Sequence, residues 1–143
     1  MRGALLVLLI LAAACAAPAA GPTLLIDTAS GIARVRVEIA DTPDGRERGL
    51  MGRTALAEDA GMLFEWTDDT SSAFWMKDTL IPLSIAFVSA DGRVLALLDM
   101  EPCRADPCPV YDPHVVYRMA LEAKQGAFAR WGVHVGDRAR LVR

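Results

Sequence analysis

The chain has 143 residues, enough for one domain with a real core and too few for two. Its 15 Lys and Arg against 18 Asp and Glu give a net charge of −3, and the basic residues are scattered among acidic ones. This leaves no basic patch for phosphates, which argues against nucleic acid as a partner.

The N-terminal segment has to be separated from the fold. Met1-Arg2 is positive, residues 5–11 are apolar and residues 12–20 are mostly small, which is the layout of a secretory signal peptide. The apolar run is too short to span a bilayer permanently, and nothing after it could cross a membrane. The expectation is a signal over residues 1–20 and a single β-rich domain over 21–143, exported to the periplasm or anchored facing it. Cys15 follows Leu11-Ala12-Ala13-Ala14, which resembles the lipobox of bacterial lipoproteins, although Ala12 stands where that motif carries a bulky aliphatic residue. Two readings stay open: Cys15 is acylated and begins the mature chain, or the signal is cut after Ala17 or Ala20 and Cys15 is discarded.

A short strand over 24–28 and a turn over 29–31 precede the cleanest strand, 32–40. There Val35, Val37 and Ile39 alternate with Arg34, Arg36 and Glu38, the pattern of an antiparallel strand with one face in water. Asp41-Thr42-Pro43 announces a helix, which Gly45 and Gly49 keep to about two turns. Strands are expected over 62–66 and 73–76, with 67–72 as a polar loop between them. Residues 83–89 and 93–99 predict a hairpin on a type I′ turn at Asp91-Gly92. Residues 115–122 alternate again, and 125–131 predict a brief helix that Gly132 stops. A last strand over 133–142 is broken by Gly136-Asp137. About eight short strands with two short helices predict a mainly β fold, a compact antiparallel sandwich or barrel. No long helices exist to make the crossovers of a continuous parallel sheet.

Cys103 and Cys108 are the thiols left in the domain, and an even pair in an oxidising compartment is most simply one disulfide. Closing so short a loop contributes about 2 kcal/mol by chain-entropy reasoning. Four residues separate the pair, where a thioredoxin-like redox motif has two. Zinc would need both His114 and His134 as further ligands. Met51, Met62, Met76, Met100 and Met119 show no clustered spacing for a soft metal, and read as core fillers. No metal or cofactor is expected.

The stretch Phe74-Trp75-Met76-Lys77-Asp78-Thr79 bunches polar groups beside aromatic ones at a strand end. In an extended conformation Trp75, Lys77 and Thr79 would share one face and Met76 and Asp78 the other. As a site, Trp75 would wall a pocket and Lys77 would bind an anionic or carbonyl group, with Arg53 as a second cation. As structure, Lys77 would bridge Asp78 or Glu65 at the surface while Trp75 packs in the core. Arg46, Glu47 and Arg48 read as solvated or locally paired charges, with Arg48 a further ligand candidate. Glu122, ending a strand, could be a buried acid, which the sequence leaves undecided. Ser84 and Ser89 lack elbow glycines, and no phosphate-cradling loop is present.

Several motifs in order carry a resemblance: residues 46–53 (RERGLMGR), 61–64 (GMLF), 74–83 (FWMKDTLIPL), Ala90-Asp91-Gly92, Pro102-Cys103, 106–109 (DPCP) and Gly136-Asp137-Arg138. Together, over about residues 35–141, the chain resembles the bacterial and archaeal family called domain of unknown function 192. The resemblance implies a compact β-rich fold of sandwich or jelly-roll type, often exported, with no settled activity. It also implies Asn where this chain has Asp78; an amide donates and accepts, whereas a carboxylate only accepts. The leading expectation is an exported, non-enzymatic domain that binds a small polar or anionic ligand, or an envelope protein, through Arg53, Trp75, Lys77 and Thr79 with Asp78 as modulator. Its alternatives are an enzyme using Lys77 and Asp78 in acid–base chemistry, with Arg53 steadying an anion, and a purely structural or scaffold protein.

Overall fold

The computed structural model describes residues 21–143; the expected signal and Cys15 lie outside the described residues. The chain is mainly β. In order it forms β1 (Thr23–Thr28), β2 (Gly31–Ala40), α1 (Pro43–Arg48), β3 (Ala60–Thr70), β4 (Phe74–Trp75), β5 (Leu83–Val88), β6 (Val94–Met100), β7 (Val110–Tyr111), β8 (Tyr117–Lys124), α2 (Ala127–Trp131) and β9 (Arg138–Val142). Seven strands make one curled sheet in the order β6-β5-β8-β3-β2-β1-β9, and β4 pairs with β7 in a separate ribbon. The expected barrel is thus a half-barrel formed from a single sheet.

One pairing departs from the antiparallel expectation: β2 and β3 run parallel, with Val37 opposite Gly61 and Ile39 opposite Leu63. A parallel neighbour needs a long connection, which the short α1 and the loop after it supply without a long helix. β3 also runs on through Thr67, Asp68 and Asp69, which composition assigns to a loop. Its register with β8 shifts between Glu65 and Thr70, and Arg118 of β8 holds Asp69 at 2.9 Å across this irregular stretch. Polar side chains on an irregular, exposed strand end resemble loop residues when read locally.

The central strands are apolar on both faces; all of β5 is buried. The inner face of the curl is packed by residues from β1, β2, β3, β5, β6, β8 and β9, with Phe128 of α2 inserted among them. On the outer face Met62 and Phe64 of β3, Ile85 and Phe87 of β5, Met100 of β6 and Ala120 of β8 pack under Leu50 and Met76. Two-sided burial of this kind explains runs of apolar residues in place of strict alternation.

The curl closes at one end. Val94 N donates to Asp137 O and Gly136 N to Val94 O, both at 2.8 Å, and Ala139 N donates to Gly92 O at 2.7 Å. The β5–β6 connection that brings Gly92 there is not the expected type I′ turn, since Gly92 (φ 85°) has positive φ and Asp91 does not. Gly92 N bonds Ser89 O and Ser89 N bonds Arg93 O, each at 2.9 Å, the form of a three-residue loop with a glycine bulge. A Cβ on Gly92 would lie 2.4 Å from Ala139 O, so both conformation and closure require glycine. At this start of β9 the expectation is also too long: residues 133–137 lie outside the strand, which begins at Arg138. Gly92→Ala is expected to lower unfolding free energy by about 2 kcal/mol or more in urea titration. A loss below about 0.5 kcal/mol would show that the closure is slack.

Candidate functional site

The outer face of the sheet is covered by two short segments, and their junction is a cleft. The first is α1 with the loop after it. Thr42 caps α1 by accepting from Gly45 N at 3.1 Å, and Pro43 takes the first turn. Arg46 rivets the helix to the sheet: it donates to Asp41 O at 2.6 Å and Glu65 O at 2.8 Å, and its guanidinium lies 5.3 Å from the Trp66 ring centre. Gly49 (φ 46°) ends the helix, and Leu50 then drops into the outer core with 2 % exposure.

The second segment is β4 and the turn after it. Phe74 meets Phe64 and Phe87 edge-on at 5.2 and 5.7 Å, which anchors the ribbon to β3 and β5. β7 pairs with β4, placing Val110 opposite Trp75. The expected disulfide, Cys103–Cys108, closes the loop leading into β7, and Cys103 N bonds Met76 O at 3.4 Å. Gly52 N donates to Asp78 O at 2.9 Å and ties the two segments together.

The grouping expected along an extended strand is only partly reproduced by this geometry, because the strand stops at Trp75 and the chain turns. Trp75 is 47 % exposed rather than packed in the core. Lys77 bridges neither Asp78 nor Glu65; its Nζ lies 5.4 Å from the Trp75 ring centre, a contact worth about 0.5–1 kcal/mol at an exposed site. Thr79 is buried at 6 % exposure, with its hydroxyl on Lys77 O at 3.3 Å, so it does not share the open face. Arg53 is not the second cation of this cleft, because it pairs with Glu38 at 2.5 Å. Asp78 adopts φ 53°, a left-handed conformation that Asn and Asp tolerate best. The Asn that the resemblance implies at this position is therefore a backbone requirement that Asp78 also meets.

The cleft has a volume of about 780 Å³ and is lined by Asp44, Glu47, Arg48, Met51, Gly52, Trp75, Lys77 and Asp78. Three carboxylates face two cations there, a balance that does not select a simple anion. Beneath it is a cavity of about 30 Å³, room for one water, bordered by Arg48, Met51, Trp75 and Thr79 and, at its floor, Glu122. Glu122 stands on β8 opposite Met62 and Ile85, on the same outer face as Ala120. It is 4 % exposed, and burial alone pushes its carboxyl up to about 8. It is therefore a neutral donor and acceptor at neutral pH. The sequence raises Glu122 as a candidate buried acid and only the fold decides it, because its strand neighbours come from distant parts of the chain.

A second depression, about 290 Å³ at the seam between β6 and α2, holds Ser84, Asp99 and His134. These do not form a nucleophilic relay. Ser84 donates to Asp99 and accepts from Gly126 N at 2.8 Å, while the His134 ring Nδ1 is 2.9 Å from Gly132 O. Among the described residues no three His, Cys, Asp or Glu side chains converge as a metal site would need.

The buried acid has a measurable signature. Its carboxyl ionises near 4.5 in the unfolded chain and near 8 in the fold, so the folded state holds an extra proton between these values. Its contribution is fully present below the unfolded value and is lost as pH rises to about 8, on the order of 5 kcal/mol in all. Glu122→Gln is expected to flatten the fall in unfolding free energy between pH 5 and pH 8 in urea titrations; an unchanged slope would show that Glu122 is solvated.

Known proteins place this architecture in a family. The profile of domain of unknown function 192, described as Uncharacterized ACR, matches residues 25–141. A crystal structure of a candidate transcription regulator from Sinorhizobium meliloti is 31 % identical, with a TM-score of 0.77 over 87 % of this chain and 97 % of that one. A protein of unknown function from Novosphingobium aromaticivorans is also 31 % identical, with a TM-score of 0.77 over 88 % of this chain and 94 % of that one. No curated protein matches. With its motifs, half-barrel and near-complete overlap, the chain belongs to the domain of unknown function 192 family.

Proposed function

We propose that this chain is an exported, non-enzymatic domain that binds a small polar ligand in the cleft walled by Trp75. The observation that carries the reading is the combination of a half-exposed Trp75 with a mixed-charge rim and a buried acid beneath it. Among the described residues, Asp44, Glu47, Arg48, Lys77 and Asp78 make no ion pair within the chain, so their donors and acceptors are free for a ligand. Small-molecule sites have this character: a concave apolar wall, a few convergent polar groups and a perturbed acid. The charge balance favours a ligand with both donors and acceptors over the anion that an Arg53–Lys77 pair would have suited.

The regulatory role in the description of the Sinorhizobium protein is not carried over. A net charge of −3, with Lys and Arg interspersed among acids, argues against a phosphate-binding face. A second reading, docking of an envelope protein, draws on the adjacent exposure of Trp75 at 47 % and Val110 at 66 % on the ribbon. The export part of the proposal is supported by Met1-Arg2, the apolar run at 5–11 and the small residues after it.

Lys77→Ala is expected to shift stability by no more than about 0.5 kcal/mol, as an exposed substitution should. It should nevertheless reduce the thermal upshift that a small-molecule panel gives the parent protein, and Trp75→Ala should remove it. An upshift that survives both substitutions would place the ligand elsewhere. For export, mass spectrometry of the mature protein should find an acylated Cys15 at the N-terminus, or a chain beginning at residue 18 or 21. An intact Met1 in the native host would refute it.

A further inference from the structure

The cleft excludes several ligand classes by its chemistry. A simple anion would meet Asp44, Glu47 and Asp78, and a simple cation would meet Arg48 and Lys77. A purely apolar molecule would strip water from all five charges without replacing their hydrogen bonds. A neutral molecule dense in hydroxyls meets none of these objections. Each hydroxyl can donate to a carboxylate or accept from Arg48 or Lys77, and the ligand brings no charge of its own.

Trp75 narrows the class further. Its indole offers a flat apolar surface at the cleft wall, and a sugar ring presents a flat face of C–H groups with hydroxyls around its edge. Lys77 lies over the indole at 5.4 Å through a weak contact on a flexible stem, so an arriving ring can displace it to the edge, where it donates to a hydroxyl.

Glu122 supplies an independent indication. It is buried to 4 % exposure, and its carboxyl takes no hydrogen bond or ion pair from the described residues. Among the described residues no side-chain nitrogen or oxygen is both sealed from solvent and unpartnered, so the Glu122 oxygens open onto the space beside them, where a water or a ligand group can bond them. That space is the 30 Å³ cavity, whose lining shares Glu47, Arg48, Met51 and Trp75 with the cleft above. The charged residues that line the same cavity are Arg46, Glu47 and Arg48, all from α1, and the Arg46 guanidinium is engaged with Asp41 O and Glu65 O. The flanking strands present Met62 and Ile85, and the turn above presents Thr79.

From this arrangement we infer that the ligand of the cleft is a neutral carbohydrate, a pyranose ring laid against Trp75 and linked to the Glu122 carboxyl by a hydroxyl or a single relayed water. The inference rests on the ligand-binding reading above and names its substrate class.

The test is a titration of the domain, followed by tryptophan fluorescence and ligand-detected NMR, with three groups of probes at millimolar concentration. Glucose, N-acetylglucosamine and maltose are the neutral sugars; citrate and inorganic phosphate are the anions; choline is the cation. At least one neutral sugar should bind saturably and about tenfold or more tighter than any charged probe, consistent with a hydroxyl-selective site. Trp75→Ala, a change at a half-exposed position, should weaken that binding about tenfold or more while the urea midpoint shows the domain still folded. In the parent protein the binding should weaken between pH 7 and pH 9 as Glu122 loses its proton, and Glu122→Gln should bind with no such pH dependence. A charged probe that binds more tightly, and depends on Trp75, would overturn the carbohydrate assignment and leave the ligand-binding reading standing. Binding of no probe, or binding indifferent to Trp75→Ala, would overturn both. Sugar binding that is flat with pH in the parent would remove Glu122 from the site and overturn the inference as stated.

Discussion

Two-sided burial of the central strands is the constraint from which the rest of this structure follows. β5 and the middle of β3 and β8 carry apolar side chains on both faces, so curling the sheet satisfies only one of them. The outer face has to be covered, and the described residues include no long helix with which to do it. It uses fragments instead: six residues of α1, the side chains of Leu50 and Met76, and a ribbon of two-residue strands. None of these would be stable alone, since isolated short helices and two-stranded ribbons are marginal in water. Each is fixed by a specific tie, namely the Arg46 rivet, the edge-on contacts of Phe74, the disulfide before β7 and the Gly52–Asp78 hydrogen bond.

A cover assembled from fragments does not seal. Where α1 meets the 74–79 turn the lid leaves a cleft, and the strand residue directly beneath the gap is an acid, Glu122. An apolar residue there would pack better and remove a stability cost on the order of several kcal/mol at neutral pH. A sequence that keeps a costly buried acid under an opening is consistent with a binding site whose chemistry needs that group.

The disulfide belongs to the same logic. It does not staple the half-barrel, which closes through the backbone bonds between residues 92–94 and 136–139. It tightens the lead into β7, and through β7 it holds the strand that carries Trp75. The thiol pair is thus tied to the site more directly than to the fold.

What could be read along the chain was whatever depends on near neighbours. The cap of Thr42 and Pro43, the stop at Gly132, the alternation of Val35 and Val37, the cysteine pair and the mainly β class are all set by local sterics, solvation and loop closure. The exposed turn at Lys77 and Asp78 was legible as a candidate site for the same reason, although the extended pattern put Thr79 on the wrong side once φ of Asp78 turned positive. Long-range pairing supplied the remainder. The parallel register of β2 with β3, the partnership of Arg53 with Glu38, and the burial of Glu122 between Met62 and Ile85 each join residues far apart in the chain. Such contacts are selected by which faces of distant strands must be hidden from water together, a condition that exists only once the sheet has formed.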